Sequence, residues 1–133
     1  MKIKRNPRMT PVMKLASVLV CFNLLFSQAL LAGNLPTGGS VVHGNVSIDT
    51  IGNNMQINQG TGQAVINWES FNIGAGFGVY VNQPTAQAAM LSRVTGADPS
   101  QIFGILQANG IFYLVNPNGV FFGANASVDA AQF

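Results

Sequence analysis

All fifteen glycines of this chain lie from Gly33 onward, and twelve of its fourteen asparagines share that region. Between them stand short runs of Val, Ile and Phe. Glycine and asparagine supply tight turns, and β-branched and aromatic residues suit pleated, half-buried surfaces. Few charges and ample apolar residues argue against disorder. The region therefore predicts an all-β fold of short strands, in a 133-residue chain whose length suggests a single domain.

Individual strands can be read. Val46 and Ile48 alternate with polar neighbours, as do Met55 and Ile57, and Val79 and Val81. Each pair predicts a strand with one buried face. Ile66 and Trp68 share a phase, while Phe71 and Ile73 take the opposite one, so a turn or bulge is expected near Glu69–Ser70. The run Ile111–Val115 is apolar on both faces and predicts a strand covered on both sides. No stretch has long helical periodicity. The best helical candidate, Thr85–Leu91, spans about two turns and follows Pro84.

Two dipeptides recur. Phe-Gly stands at Phe77–Gly78, Phe103–Gly104 and Phe122–Gly123, with offsets of 26 and 19. Asn-Gly stands at Asn109–Gly110 and Asn118–Gly119, nine apart. If these mark a structural repeat, its period is near 20 residues, one turn of a β-solenoid. Four or five turns would follow, stacked at ~4.8 Å. A β-sandwich accommodates the same short strands. The scarcity of charged outward positions leans toward the solenoid, where stacked Asn, Ser and Thr side chains satisfy one another.

Charge is segregated. Lys2, Lys4, Arg5, Arg8 and Lys14 are five of the six basic residues, and Arg93 is the sixth. Asp49, Glu69, Asp98 and Asp129 all lie beyond position 40. Met1–Lys14 is a basic segment. Leu15–Phe26 is apolar apart from Ser17 and Asn23, and small residues follow at Ser27, Ala29 and Ala32. This three-part pattern reads as an export signal over residues 1–32, forming an N-terminal helix, with cleavage after Ala29 or Ala32. Counted on to Leu31, the apolar run is marginal for a membrane anchor. Cys21 follows Val20 rather than a small residue, so a lipoprotein anchor does not fit. Residues 33–133 then form the mature part, carrying one positive and four negative charges. One arginine cannot neutralise a run of phosphates, so no nucleic-acid partner is expected. The mature part has no cysteine, which suits passage across a membrane unfolded.

His43 is the sole histidine, and with no mature cysteine it cannot build a usual zinc site. It reads as a surface or turn residue. The four acids show no close grouping, so paired-carboxylate hydrolysis is unsupported. Gly62, Gly74, Gly76 and Gly78 precede no lysine and no helix, so they form no phosphate loop. The glycosylation triplets at Asn45 and Asn125 are cheap matches in an Asn-rich chain. Trp68 and Phe71 read as core. No metal, no cofactor and no enzymatic activity are expected.

Asn116-Pro117-Asn118-Gly119-Val120 is the strongest local motif. Asn116 can bond its own backbone, Pro117 presets φ, Asn118 tolerates the third position and Gly119 closes a tight turn. From position 64 further pieces stand in order: Ile66-x-Trp68-x-x-Phe71-x-Ile73-Gly74, Asn82-Gln83-Pro84, and Ser92-Arg93-Val94-Thr95-Gly96. Pro99-Ser100-x-Ile102-x-Gly104-x-Leu106 and Ala108-Asn109-Gly110 follow, ahead of Asn116–Val120. This ordered set resembles the N-terminal secretion domain of filamentous-haemagglutinin-type exoproteins, also called the haemagglutination activity domain. The resemblance implies a right-handed parallel β-helix, passage of the inner membrane by the Sec machinery, and recognition by an outer-membrane barrel transporter through its periplasmic domains. It makes Asn82, Gln83, Pro84, Arg93, Asn116, Pro117, Asn118 and Gly119 the candidate recognition and turn residues. The family's domain usually runs well past the Asn-Pro-Asn-Gly motif, so this chain reads as a fragment or truncated product. A secretion-recognition and folding-nucleation module for an adhesin-, haemagglutinin- or haemolysin-type exoprotein is the first reading. An adhesin module that itself binds host glycan or matrix is the second.

Overall fold

The computed structural model describes residues 34–133. The expected signal helix and its cleavage points lie outside the described residues. Eleven strands and no helix are found among those described. They are β1 (Ser40–His43), β2 (Val46–Ile51), β3 (Asn54–Gln59), β4 (Gln63–Trp68), β5 (Gly78–Asn82) and β6 (Ala89–Val94). β7 (Ser100–Ile102), β8 (Ile105–Ala108), β9 (Ile111–Val115), β10 (Val120–Phe122) and β11 (Ser127–Asp129) follow.

The strands wind into a parallel β-solenoid with three walls. The first wall orders its strands β2-β3-β5-β8-β11, the second β1-β4-β6-β9, and the third holds β7 and β10. A bridge from Ile73 to Ile102 extends the third wall into the first coil. In the first wall Asn54 pairs with Gly78, Gly78 with Ile105, and Ile105 with Ser127, offsets of 24, 27 and 22 residues. In the second, Gln63 pairs with Ala89 and Ala89 with Ile111, offsets of 26 and 22. Three coils result, with the start of a fourth, where a shorter repeat had predicted four or five. The corners between walls vary in length, and that lengthens the coil.

The expected dipeptide repeat does not mark the rungs. Ile102 pairs with Phe122, so Phe103–Gly104 and Phe122–Gly123 stand one residue out of step. Asn109–Gly110 and Asn118–Gly119 flank β9 as two corners of one coil. The in-register repeat is Asn-Gln, with Asn58–Gln59 directly beneath Asn82–Gln83.

The first coil has a lid. β1 runs antiparallel on β4 with an irregularity between Val41 and His43, and β2 runs antiparallel on β3. These two strands satisfy the edge that the first parallel coil would otherwise leave open. His43 lies exposed on β1.

Inward side chains stack in files along the axis. Met55, Val79 and Leu106 form one file, and Ile57, Val81 and Ala108 another. Ala64, Met90 and Phe112 stack in the second wall. Trp68 and Phe71 are buried as expected, and their rings meet edge to face at 5.6 Å. β4 ends at Trp68 and the chain turns at Glu69–Ser70, which reconciles the two apolar phases.

Two further expectations are corrected. Ile111–Val115 is not covered on both sides, because Tyr113 and Val115 are 45% and 46% exposed. A solenoid wall is one sheet thick, so alternate residues face solvent whatever their polarity. Thr85–Leu91 is not helical: one turn closes where the Ala88 N–H meets the Thr85 oxygens, and Ala89 then opens β6. A two-turn helix is marginal in isolation, whereas β6 gains a parallel ladder on β4 and another on β9.

Candidate functional site

The eight candidate residues fall into two groups. Asn116, Pro117, Asn118 and Gly119 form the corner between β9 and β10. The Gly119 N–H donates to the Asn116 carbonyl at 2.9 Å, and the Asn118 N–H donates to Asn116 Oδ1 at 2.9 Å. Gly119 takes φ +106°, which a side chain would oppose. The turn is also tied down to the previous coil. Asn116 Nδ2 donates to the Asp98 carbonyl and to Ser100 Oγ, both at 3.0 Å, and Asn118 Nδ2 donates to the Gly96 carbonyl at 2.9 Å. The motif thus shapes its own corner and latches it to the corner beneath. Arg93 adjoins this group, since it pairs with Val115, the residue before Asn116. Its side chain is exposed, and Nε donates to Asn67 Oδ1 at 2.9 Å.

Asn82, Gln83 and Pro84 lie at the corner between β5 and β6. Asn82 faces outward and donates to Asn58 Oδ1 at 2.8 Å and Gln56 Oε1 at 3.1 Å. Pro84 is exposed. Gln83 is buried, and its Nε2 lies 3.1 Å from Gln59 Oε1, the Ala88 carbonyl and the Ile111 carbonyl. Its Oε1 accepts the Gly110 N–H at 2.8 Å. In the folded domain Gln83 is therefore a staple joining three coils and stands out of a partner's reach. The structure does not bring the two groups together.

Residues not singled out from the sequence complete these corners. Asn109 clamps the Gln83 backbone, accepting from its N–H at 2.7 Å and donating to its carbonyl at 2.7 Å. Gln59 bonds the Thr61 and Ala89 carbonyls. Asn72 Oδ1 accepts the Gln101 N–H at 2.8 Å. Asn58-Gln59 recurring at Asn82-Gln83 was the sequence signal for this ladder. Its meaning depends on a 24-residue register that no local pattern displays.

Amide ladders, latched corners and a covered first coil define a capped parallel β-solenoid module, and among the described residues no three of His, Cys, Asp and Glu converge on one point. The chain belongs to the TPS secretion domain family, whose model matches residues 28–133. It is 47% identical over 100 residues to a heme/hemopexin-binding protein of Haemophilus influenzae strain Rd, covering 75% of this chain and 11% of that protein. A second Haemophilus influenzae heme/hemopexin-binding protein is 41% identical over 99 residues, covering 74% and 11%. The crystal structure of the HMW1 secretion domain from Haemophilus influenzae superposes with a TM-score of 0.69 at 37% identity, over 71% of this chain and 25% of that one. The chain spans about a tenth of the length of those curated relatives. It carries the secretion domain of exoproteins exported by two-partner systems.

Proposed function

We propose that this chain is the recognition and folding-nucleation segment of an exported exoprotein. It performs no chemistry of its own. Its basic and apolar leader directs it through the inner membrane by the Sec machinery. The periplasmic domains of an outer-membrane barrel then read the segment while it is extended. Strand addition suits that reading, because main-chain bonds tolerate varied side chains.

The observation that carries the proposal is the latching of each corner onto the coil before it. Asn116 and Asn118 reach back to residues 96–100, and Gln83 reaches back to Gln59. A coil emerging from a pore therefore closes only on a coil already formed, starting from the antiparallel lid. Each coil adds apolar burial at ~25 cal/mol per Å², several kcal/mol before chain entropy is subtracted. Folding outside the pore then opposes backsliding.

The test is export with the cognate barrel present and deleted, following the chain in periplasm and medium. The proposal expects periplasmic retention without the barrel, and slower export of an Asn116→Ala, Asn118→Ala variant. Equal appearance in the medium without the barrel would overturn transporter recognition. Normal export of the double variant would remove the turn from that recognition.

A further inference from the structure

Asn109–Gly110 and Asn118–Gly119 carry the same dipeptide, and the fold holds them differently. Asparagine before glycine is the arrangement in which a side-chain amide reacts most readily with the backbone nitrogen that follows it. Glycine has no Cβ to obstruct closure of the five-membered ring. Reaction requires the asparagine Cγ to reach that nitrogen, so every hydrogen bond that holds either group elsewhere must first open.

At Asn109 both reacting groups are held. Its Oδ1 accepts the Gln83 N–H and its Nδ2 donates to the Gln83 carbonyl, each at 2.7 Å. The Gly110 N–H donates to Gln83 Oε1 at 2.8 Å in a buried corner. The space around Gly110 is filled, since a Cβ there would stand 2.7 Å from the Ala88 carbonyl oxygen and 2.8 Å from the Gln83 side chain. At Asn118 the restraint is lighter. One side-chain bond runs to the Gly96 carbonyl, and the Gly119 N–H closes its own turn on the Asn116 carbonyl. Asn118 and Gly119 are both exposed, and nothing lies within 4 Å of a Cβ built at Gly119. Water takes over an exposed bond when it opens, whereas a buried donor is left unsatisfied.

We propose that Asn118 is a site of spontaneous deamidation in the folded domain and that Asn109 is protected from it. The Gly119 nitrogen gives up its proton and attacks Asn118 Cγ. A C–N bond forms, the Cγ–Nδ2 bond breaks, and ammonia leaves with a proton. Water then opens the succinimide at one carbonyl or the other, giving aspartate or isoaspartate. The new carboxylate cannot donate to the Gly96 carbonyl and is repelled by it, so the corner between β9 and β10 loses a latch. An isoaspartate also lengthens the backbone inside a turn closed at 2.9 Å. The chemistry proceeds whether or not a transporter reads this turn.

The experiment incubates the full chain in mildly alkaline buffer, once folded and once in urea. Chymotryptic peptides are followed by mass spectrometry, where each conversion adds the mass difference between an amide and an acid. Isoaspartate is confirmed by enzymatic methylation. In urea the two sites convert within about threefold of one another, because neither is held. In the folded chain Asn118 converts roughly tenfold or more faster than Asn109. Gln83→Leu frees the Gly110 N–H and speeds Asn109 roughly fivefold or more while Asn118 is unchanged. Should that variant not fold, the wild-type rates in the folded chain and in urea still decide. Equal rates at the two sites in the folded chain, faster conversion of Asn109, or a folded Asn118 that stays intact while urea converts both would overturn the proposal.

Discussion

Replacing Gln83 with leucine separates a structural staple from a recognition residue. Leucine roughly matches the volume but offers no polar atom. The Gly110 N–H, which donates to Gln83 Oε1 at 2.8 Å in a buried corner, is orphaned, and an unsatisfied buried donor costs about 1–3 kcal/mol. Gln59 Oε1 and the Ile111 carbonyl also lose a donor, at about 1 kcal/mol per bond. The Ala88 carbonyl keeps the Ile111 N–H at 2.8 Å, and the added apolar surface offsets a fraction of the loss. A net destabilisation of about 2–3 kcal/mol follows. With a urea slope near 2 kcal/mol per molar, the unfolding midpoint falls by about 1–1.5 M at unchanged slope. Equilibrium urea denaturation followed by circular dichroism reads it. A midpoint within ~0.3 M of wild type would refute the staple. Lost export at unchanged stability would show instead that the extended chain is read at this glutamine.

Three further outcomes are expected. Phe112→Ala, at a fully buried ring packed on Phe71 at 6.1 Å, costs about 3–5 kcal/mol and lowers the melting temperature by more than ~12 °C in a calorimetric scan. Gly104→Ala places a Cβ against the carbonyl oxygens of Phe77 and Gly74 and prevents close stacking of two coils. Gly62→Ala meets nothing within 4 Å and is neutral or gains up to ~1 kcal/mol, so its melting temperature holds or rises while that of Gly104→Ala falls. Arg93→Ala removes one exposed hydrogen bond to Asn67 and shifts stability by less than ~0.5 kcal/mol. Any fall in its export rate in a pulse-chase assay then reports recognition rather than folding.

The sequence by itself determined the local chemistry. Turn residues and alternating apolar pairs placed Val46–Ile48, Met55–Ile57, Ile66–Trp68 and Val79–Val81 in strands, and turn preference alone shaped Asn116–Gly119. These are interactions between residues a few positions apart, so their pattern is visible in the string. Only the tertiary structure decided the coil length, the true Asn-Gln repeat, the burial of Gln83 and the exposure of Tyr113. It also decided that Thr85–Leu91 leads into a strand. Each depends on which residue lies one coil above or below, 20 to 29 positions away in the chain. That register is set by the sum of corner lengths and inward stacking. Phe103–Gly104 and Phe122–Gly123 look alike locally and yet stand one residue apart in register, because neighbouring coils align by how their side chains pack.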